Sequence, residues 1–128
     1  MNQKGFATLE IILMVMVIGI LATMAVPQFE KMTAAANTSK VQSDLAAINT
    51  AFAVYQMTQT NTVTNLDINT LADYFENGIP QKPTGKIYVT TTGTTTPALT
   101  DINSEWNYAI TSGKATFGGY TADKFTMK

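Results

Sequence analysis

The hydrophobic pattern of the chain changes character twice. From Phe6 to Val26 it is apolar almost throughout, and Ile11 to Val26 carries no charge. Roughly twenty residues at about 1.5 Å each cross the hydrocarbon core of a bilayer as a helix, so this run predicts a membrane-length helix. Beyond Pro27, Val41, Leu45, Ile48, Phe52 and Tyr55 recur four, three, four and three apart, which is one stripe of an amphipathic helix. Lys40, Asp44 and Asn49 lie elsewhere on its circumference, and Phe29 and Met32 extend the stripe backwards. Ala34, Ala35 and Ala36 are small and helix-favouring, which suits close approach of neighbouring helices. The two patterns join into one expected helix from about Phe6 to about Gln59, its second half the spine of a small domain.

Thr58 to Asn65 is polar and predicts a loop. A short helix follows, with Asp67 as its N-cap and Leu71, Tyr74 and Phe75 as its apolar face; Gly78 and Pro80 are expected to end it. Ile79 to Gly85 reads as an irregular connector. From Lys86 the period falls to two. Ile87, Val89 and Thr91 predict one strand, and Trp106, Tyr108 and Ile110 a second. Ser112-Gly113 is a two-residue hairpin turn into a third strand with Ala115 and Phe117. Gly93 to Thr100, threonine-rich around Pro97, reads as a loop, Gly118-Gly119 as a bulge or bend, and Phe125 with Met127 as a last short strand. The expected fold is α+β, a long N-terminal helix packed against a small antiparallel sheet.

Charge changes the picture at one position. Glu10 stands inside the apolar run, about a turn from its start. A carboxylate at bilayer depth costs on the order of 2.5–3.5 kcal/mol on the mildest scale, so such a group normally has a partner and a task. Lys4 is off the i+3/i+4 ridge and pairs poorly with it on a helix. A cut after Gly5 would place a new α-amino group on Phe6, at the same end of the helix, facing Glu10 of its own chain or of a neighbour. The bland alternative is a plain signal anchor whose Glu10 snorkels to the interface. The apolar run exceeds the roughly 7–15 residues of a secretory h-region, and no Ala-x-Ala-like stop follows it.

These residues resemble the class III signal of type IV pilins and type II secretion pseudopilins. The similarity is carried by the short basic leader Met1-Asn2-Gln3-Lys4-Gly5, the Gly5-Phe6 junction, Glu10 at the fifth position after it, and Gly19 and Pro27 further along; it is strong from Lys4 to Phe29. Many pilins read Phe-Thr-Leu-x-Glu, whereas this chain reads Phe6-Ala7-Thr8-Leu9-Glu10, which moves a hydroxyl by one position and leaves the acid in place. The resemblance implies a leader at 1–5, a transmembrane and filament-core helix at 6–27, and a pilin globular domain at 28–128, divided into helix 28–59, connector 60–85 and sheet 86–128. It implies cleavage by a prepilin peptidase between Gly5 and Phe6, methylation of the Phe6 amine, and membrane insertion with the N-terminus cytoplasmic. The pilus assembly machinery would then build a homopolymer through Phe6 and Glu10. Lys4 on the short side of the run agrees with that orientation. Gly19 and Pro27 both weaken the helix and mark its extensible part.

Composition removes other classes. The chain of 128 residues has no cysteine and no histidine, and its eight basic residues are all lysines. Disulfides, thiolate metal sites and histidine bases are excluded, and no nucleophile elbow or phosphate-binding loop is present, so an enzyme and a cofactor are not expected. A net charge of -1 and dispersed lysines (Lys82, Lys86, Lys114, Lys124, Lys128) give no specific nucleic-acid footprint. Asp101, Asn103 and Glu105 place oxygen ligands at alternate positions, as the opening of a calcium loop does. Trp106 stands where such a loop needs glycine, and the closing bidentate acid is missing, so a solvated turn is the competing reading. The threonines of 84–100 are candidates for glycosylation or plain strand and loop residues. Four roles fit: a major pilin, a type II secretion pseudopilin, a competence pilus subunit for DNA uptake, and a monomeric membrane-anchored binding domain.

Overall fold

Helix α1 runs from Gln3 to Thr58 and continues through Gly19 and Pro27. The structure, a computed structural model, describes residues 3–127; Met1 and Asn2 of the expected leader, and Lys128 of the expected sheet region, lie outside them. Two compact units divide the chain at Met32 and Thr33.

The first unit is the apolar part of α1. Its large side chains are exposed all round, from Phe6 and Leu9 to Met24 and Val26. An α-helix that is hydrophobic on every face belongs in lipid or in a bundle of helices. Mean hydropathy reaches 2.6 over its best 18-residue window, and by length and composition α1 can cross a membrane. Its two hydroxyls are satisfied internally: Thr8 Oγ1 donates to Lys4 O at 2.9 Å and Thr23 Oγ1 to Ile20 O at 2.7 Å. That removes the cost of carrying them into hydrocarbon.

The second unit, from Thr33, packs the rest of α1 against antiparallel strands. Val41, Leu45, Ile48 and Phe52 are buried as the stripe requires, with Tyr55 half-buried beside them. Phe29 and Met32 do not extend the stripe; both are exposed in the first unit. Strands β1 (Lys86–Val89) and β2 (Ala98–Asp101) form one sheet, and β3 (Tyr108–Thr111), β4 (Lys114–Phe117) and β5 (Tyr120–Thr121) form another, ordered β3-β4-β5. Ile87, Val89, Tyr108, Ile110, Ala115 and Phe117 face the helix stripe, and Leu71 and Phe125 complete the core.

Further expectations change. Thr91 lies beyond β1, which ends at Val89, and Trp106 precedes β3, which begins at Tyr108. Ala98–Asp101 is a strand, registered with Lys86↔Asp101 to Val89↔Ala98, where a loop was expected. Threonine fits both states, and Pro97 lies just ahead of the strand, where it removes no ladder bond. Gly118-Gly119 is neither bulge nor bend but the turn of a β4–β5 hairpin, at φ 58° and 85°. Phe125 and Met127 form no strand: a 3-10 turn at Ala122–Lys124 sends Phe125 into the core and leaves Met127 exposed. The short helix is a 3-10 segment, Ile68–Tyr74, which stops before Gly78. Its cap is as expected, Asp67 Oδ1 accepting from Asn69 N at 3.0 Å. Ser112-Gly113 is also the hairpin turn expected, both residues at positive φ.

Polar side chains of α1 serve the open strand edges. Thr38 Oγ1 accepts from Tyr88 N at 3.0 Å, Asn49 Oδ1 accepts from Ala115 N at 2.8 Å, and Asn37 Nδ2 donates to Thr84 O and Lys86 O, each at 2.8 Å. Gln42 Nε2 donates to Phe125 O and Thr90 N to Lys124 O, so hydrogen bonds hold the C-terminal segment of this cysteine-free chain. Each such bond meets a backbone group that would be costly to bury unpaired.

Candidate functional site

Gly5, Phe6 and Glu10 all lie within α1, because the helix already begins at Gln3. A Cβ at Gly5 would meet nothing within 4 Å, and Phe6 is 57% exposed. Phe6 and Glu10 are i and i+4, one turn apart on the same ridge. Glu10 makes no salt bridge among the described residues. It lines a shallow groove with Leu13, Met14, Val17 and Ile18. A lone carboxylate over an apolar groove favours any cation that arrives with apolar surface around it. A processed Phe6 terminus would bring a cation and an aromatic ring together.

The calcium-like triplet spans the end of β2 and the loop after it. Asp101 sits in β2 and its Oδ1 lies 4.0 Å from Lys86 Nζ; Asn103 Oδ1 accepts from Glu105 N at 2.9 Å, closing a local turn. Among the described residues, no group of three or more acid, histidine or cysteine side chains is arranged to hold a metal.

Two polar clusters escaped the sequence reading. Asp44 Oδ2 accepts from Lys40 Nζ and from Tyr108 Oη, both at 2.5 Å, and Lys40 also donates to Gln81 O at 2.7 Å. Helix and sheet therefore meet on one carboxylate, and Lys40 ties the connector to the same cluster. Lys82 is the second case: it is half-buried and bonded to loop oxygens, not an ordinary surface lysine. Neither has a local signal, since both depend on which loops the fold brings together.

Burial moves the Tyr108 hydroxyl well above its ordinary pKa of 10.0, and the hydrogen bond and negative charge of Asp44 push the same way. The folded chain keeps this proton where the unfolded chain has lost it. The resulting stability is fully present below about pH 10 and declines as pH rises further. Tyr108→Phe is expected to cost about 1.5–3 kcal/mol at neutral pH, and its deficit against wild type is expected to shrink in melts above pH 10. A deficit that stays constant to pH 11.5 contradicts this role.

An apolar helix interrupted by one acid, continued into the spine of a small α+β domain, defines a pilin-like arrangement. Comparison with known proteins agrees. Over 54 residues the chain is 39% identical to the type IV narrow pilus major component PilA5 of Thermus thermophilus, covering 42% of this chain and 47% of that protein. It is 41% identical over 49 residues to a fimbrial protein of Pseudomonas aeruginosa, covering 38% and 32%. It is 36% identical over 56 residues to the type II secretion system core protein G of Klebsiella michiganensis, covering 44% and 39%. These relatives are type IV pilus and secretion pseudopilin proteins, the family the N-terminal residues resemble. The matches span less than half the length of these relatives. No family model and no solved structure matches the chain.

Proposed function

We propose that this chain is the major subunit of a type IV pilus-like surface filament, a structural protein without enzymatic activity. The observation that carries the reading is Glu10, an acid without a salt bridge among the described residues, on a helix apolar enough to span a membrane. The precursor sits in the cytoplasmic membrane with its N-terminus inside. A prepilin peptidase cuts between Gly5 and Phe6, the new amine is methylated, and the assembly machinery draws subunits into a homopolymer. There Glu10 of one copy meets the Phe6 amine of the next, while the apolar helices leave lipid for the filament core. The helix weakened at Gly19 and Pro27 is the part that yields when the filament is stretched, and hydrogen exchange in filaments should be faster from Gly19 to Pro27 than in the turns before it.

The similarity to a type II secretion core protein G favours a second reading, a pseudopilin in a short envelope-confined filament. Mechanical shearing of cells tests both. Long filaments of this chain in the sheared fraction support the pilus reading. Short filaments that form only on overexpression support the pseudopilin, and a chain left in the membrane as single molecules opposes both.

A further inference from the structure

The loop between β2 and β3 closes on a cation that belongs to the chain itself. Lys82 Nζ donates to Ser104 O at 3.2 Å, to Trp106 O at 2.9 Å and to Asn107 Oδ1 at 3.4 Å. An ammonium carries three N–H donors, so these oxygens use all of them. No carboxylate takes part: the salt bridges among the described residues are Lys40–Asp44 and Lys86–Asp101. Pro80 and Pro83 flank Lys82, and their fixed φ angles limit the freedom of the segment that presents it.

Carbonyl and amide oxygens converging on a positive charge are the ligands that hard metal ions take. Of the three candidate calcium side chains, Asp101 Oδ1 lies 4.0 Å from Lys86 Nζ and Asn103 Oδ1 accepts from Glu105 N. Backbone oxygens of the same loop are committed to the lysine. The loop also carries Trp106 edge-on to Phe117, their rings 5.5 Å apart, so fixing it fixes one side of the core.

We propose that the Lys82 ammonium is the resident cation of the Asn103–Asn107 loop, a cation site filled in cis. The fold of the domain is then independent of external divalent cations, and removing the side chain opens a nest that accepts a small alkylammonium ion. The proposal does not rest on the filament reading.

The test is thermal unfolding of the full-length chain in detergent, followed by emission of Trp106, the one tryptophan present. The wild-type midpoint should be the same in EDTA and in excess calcium. Lys82→Ala should lower it by about 5–10 °C. Methylammonium should restore about half of that loss, while tetramethylammonium, which has no N–H donor, should restore none. Lys82→Met, which keeps an apolar stem, should fall as far as Lys82→Ala. A wild-type midpoint that drops in EDTA overturns the proposal, and this arm requires no variant to fold. A stable Lys82→Met, or equal effects of the two ammonium ions on Lys82→Ala, overturns it as well.

Discussion

Glu10→Val is expected to insert into the membrane and to be cut after Gly5, yet to yield almost no filament. The two environments respond with opposite sign. In lipid the variant is relieved of a carboxylate that costs on the order of 2.5–3.5 kcal/mol. In the proposed filament the amine of Phe6 would lose its counter-charge, and an ion left unpaired in a buried site costs roughly 3–5 kcal/mol. For transfer from lipid to filament the two terms add to about 5.5–8.5 kcal/mol, and at about 1.4 kcal/mol per factor of ten adding a subunit becomes roughly ten-thousand- to a million-fold less favourable. Comparing the processed chain in membranes with the chain in sheared filaments separates these effects. Normal filament yield from Glu10→Val would show that the acid does not set subunit register.

Gly118→Ala is expected to be the most damaging single-methyl change in the domain. A Cβ at this position would stand 2.5 Å from Trp106 Cδ2 and 2.7 Å from Cε3. The indole has little room to retreat, because it packs against Phe117 and, at 5.8 Å, Tyr120. The backbone at Gly118 also holds φ at 58°, which an L side chain rarely adopts. Overpacking of about 1–3 kcal/mol adds to backbone strain of about 1 kcal/mol, which lowers the midpoint by about 10–20 °C. Gly119→Ala supplies the contrast. Its φ is 85°, but a Cβ there meets nothing within 4 Å, so only the strain remains. Equal losses from the two variants would mean that contact with Trp106 is not what excludes a side chain at Gly118.

What could be read in advance depended on whether the signal was local. The Val41–Phe52 stripe was legible because helix periodicity decides which side chains share a face. Asp67 was legible as a cap because its chemistry acts within two residues. The position of Glu10 within the apolar run was legible because a charge among apolar neighbours is conspicuous wherever the chain folds. Ala98–Asp101 was not: its one threonine, Thr100, and the proline ahead of it satisfy a loop and an edge strand equally, and only pairing with Lys86–Val89 decides between them. Phe125 keeps its core position without a strand, since burial fixes where a ring goes and leaves the backbone route open. Lys82 and the Asp44–Tyr108 pair were invisible for a related reason. Each joins residues more than twenty positions apart, and a lysine or aspartate in isolation reads as surface.

The central claim is that the cation meeting Glu10 comes into being at Phe6 when the leader is removed. Mass spectrometry of the chain recovered from sheared native filaments tests it most directly. The expected chain begins at Phe6 and carries one methyl group on its amine. A chain that begins at Met1 in those filaments would contradict it.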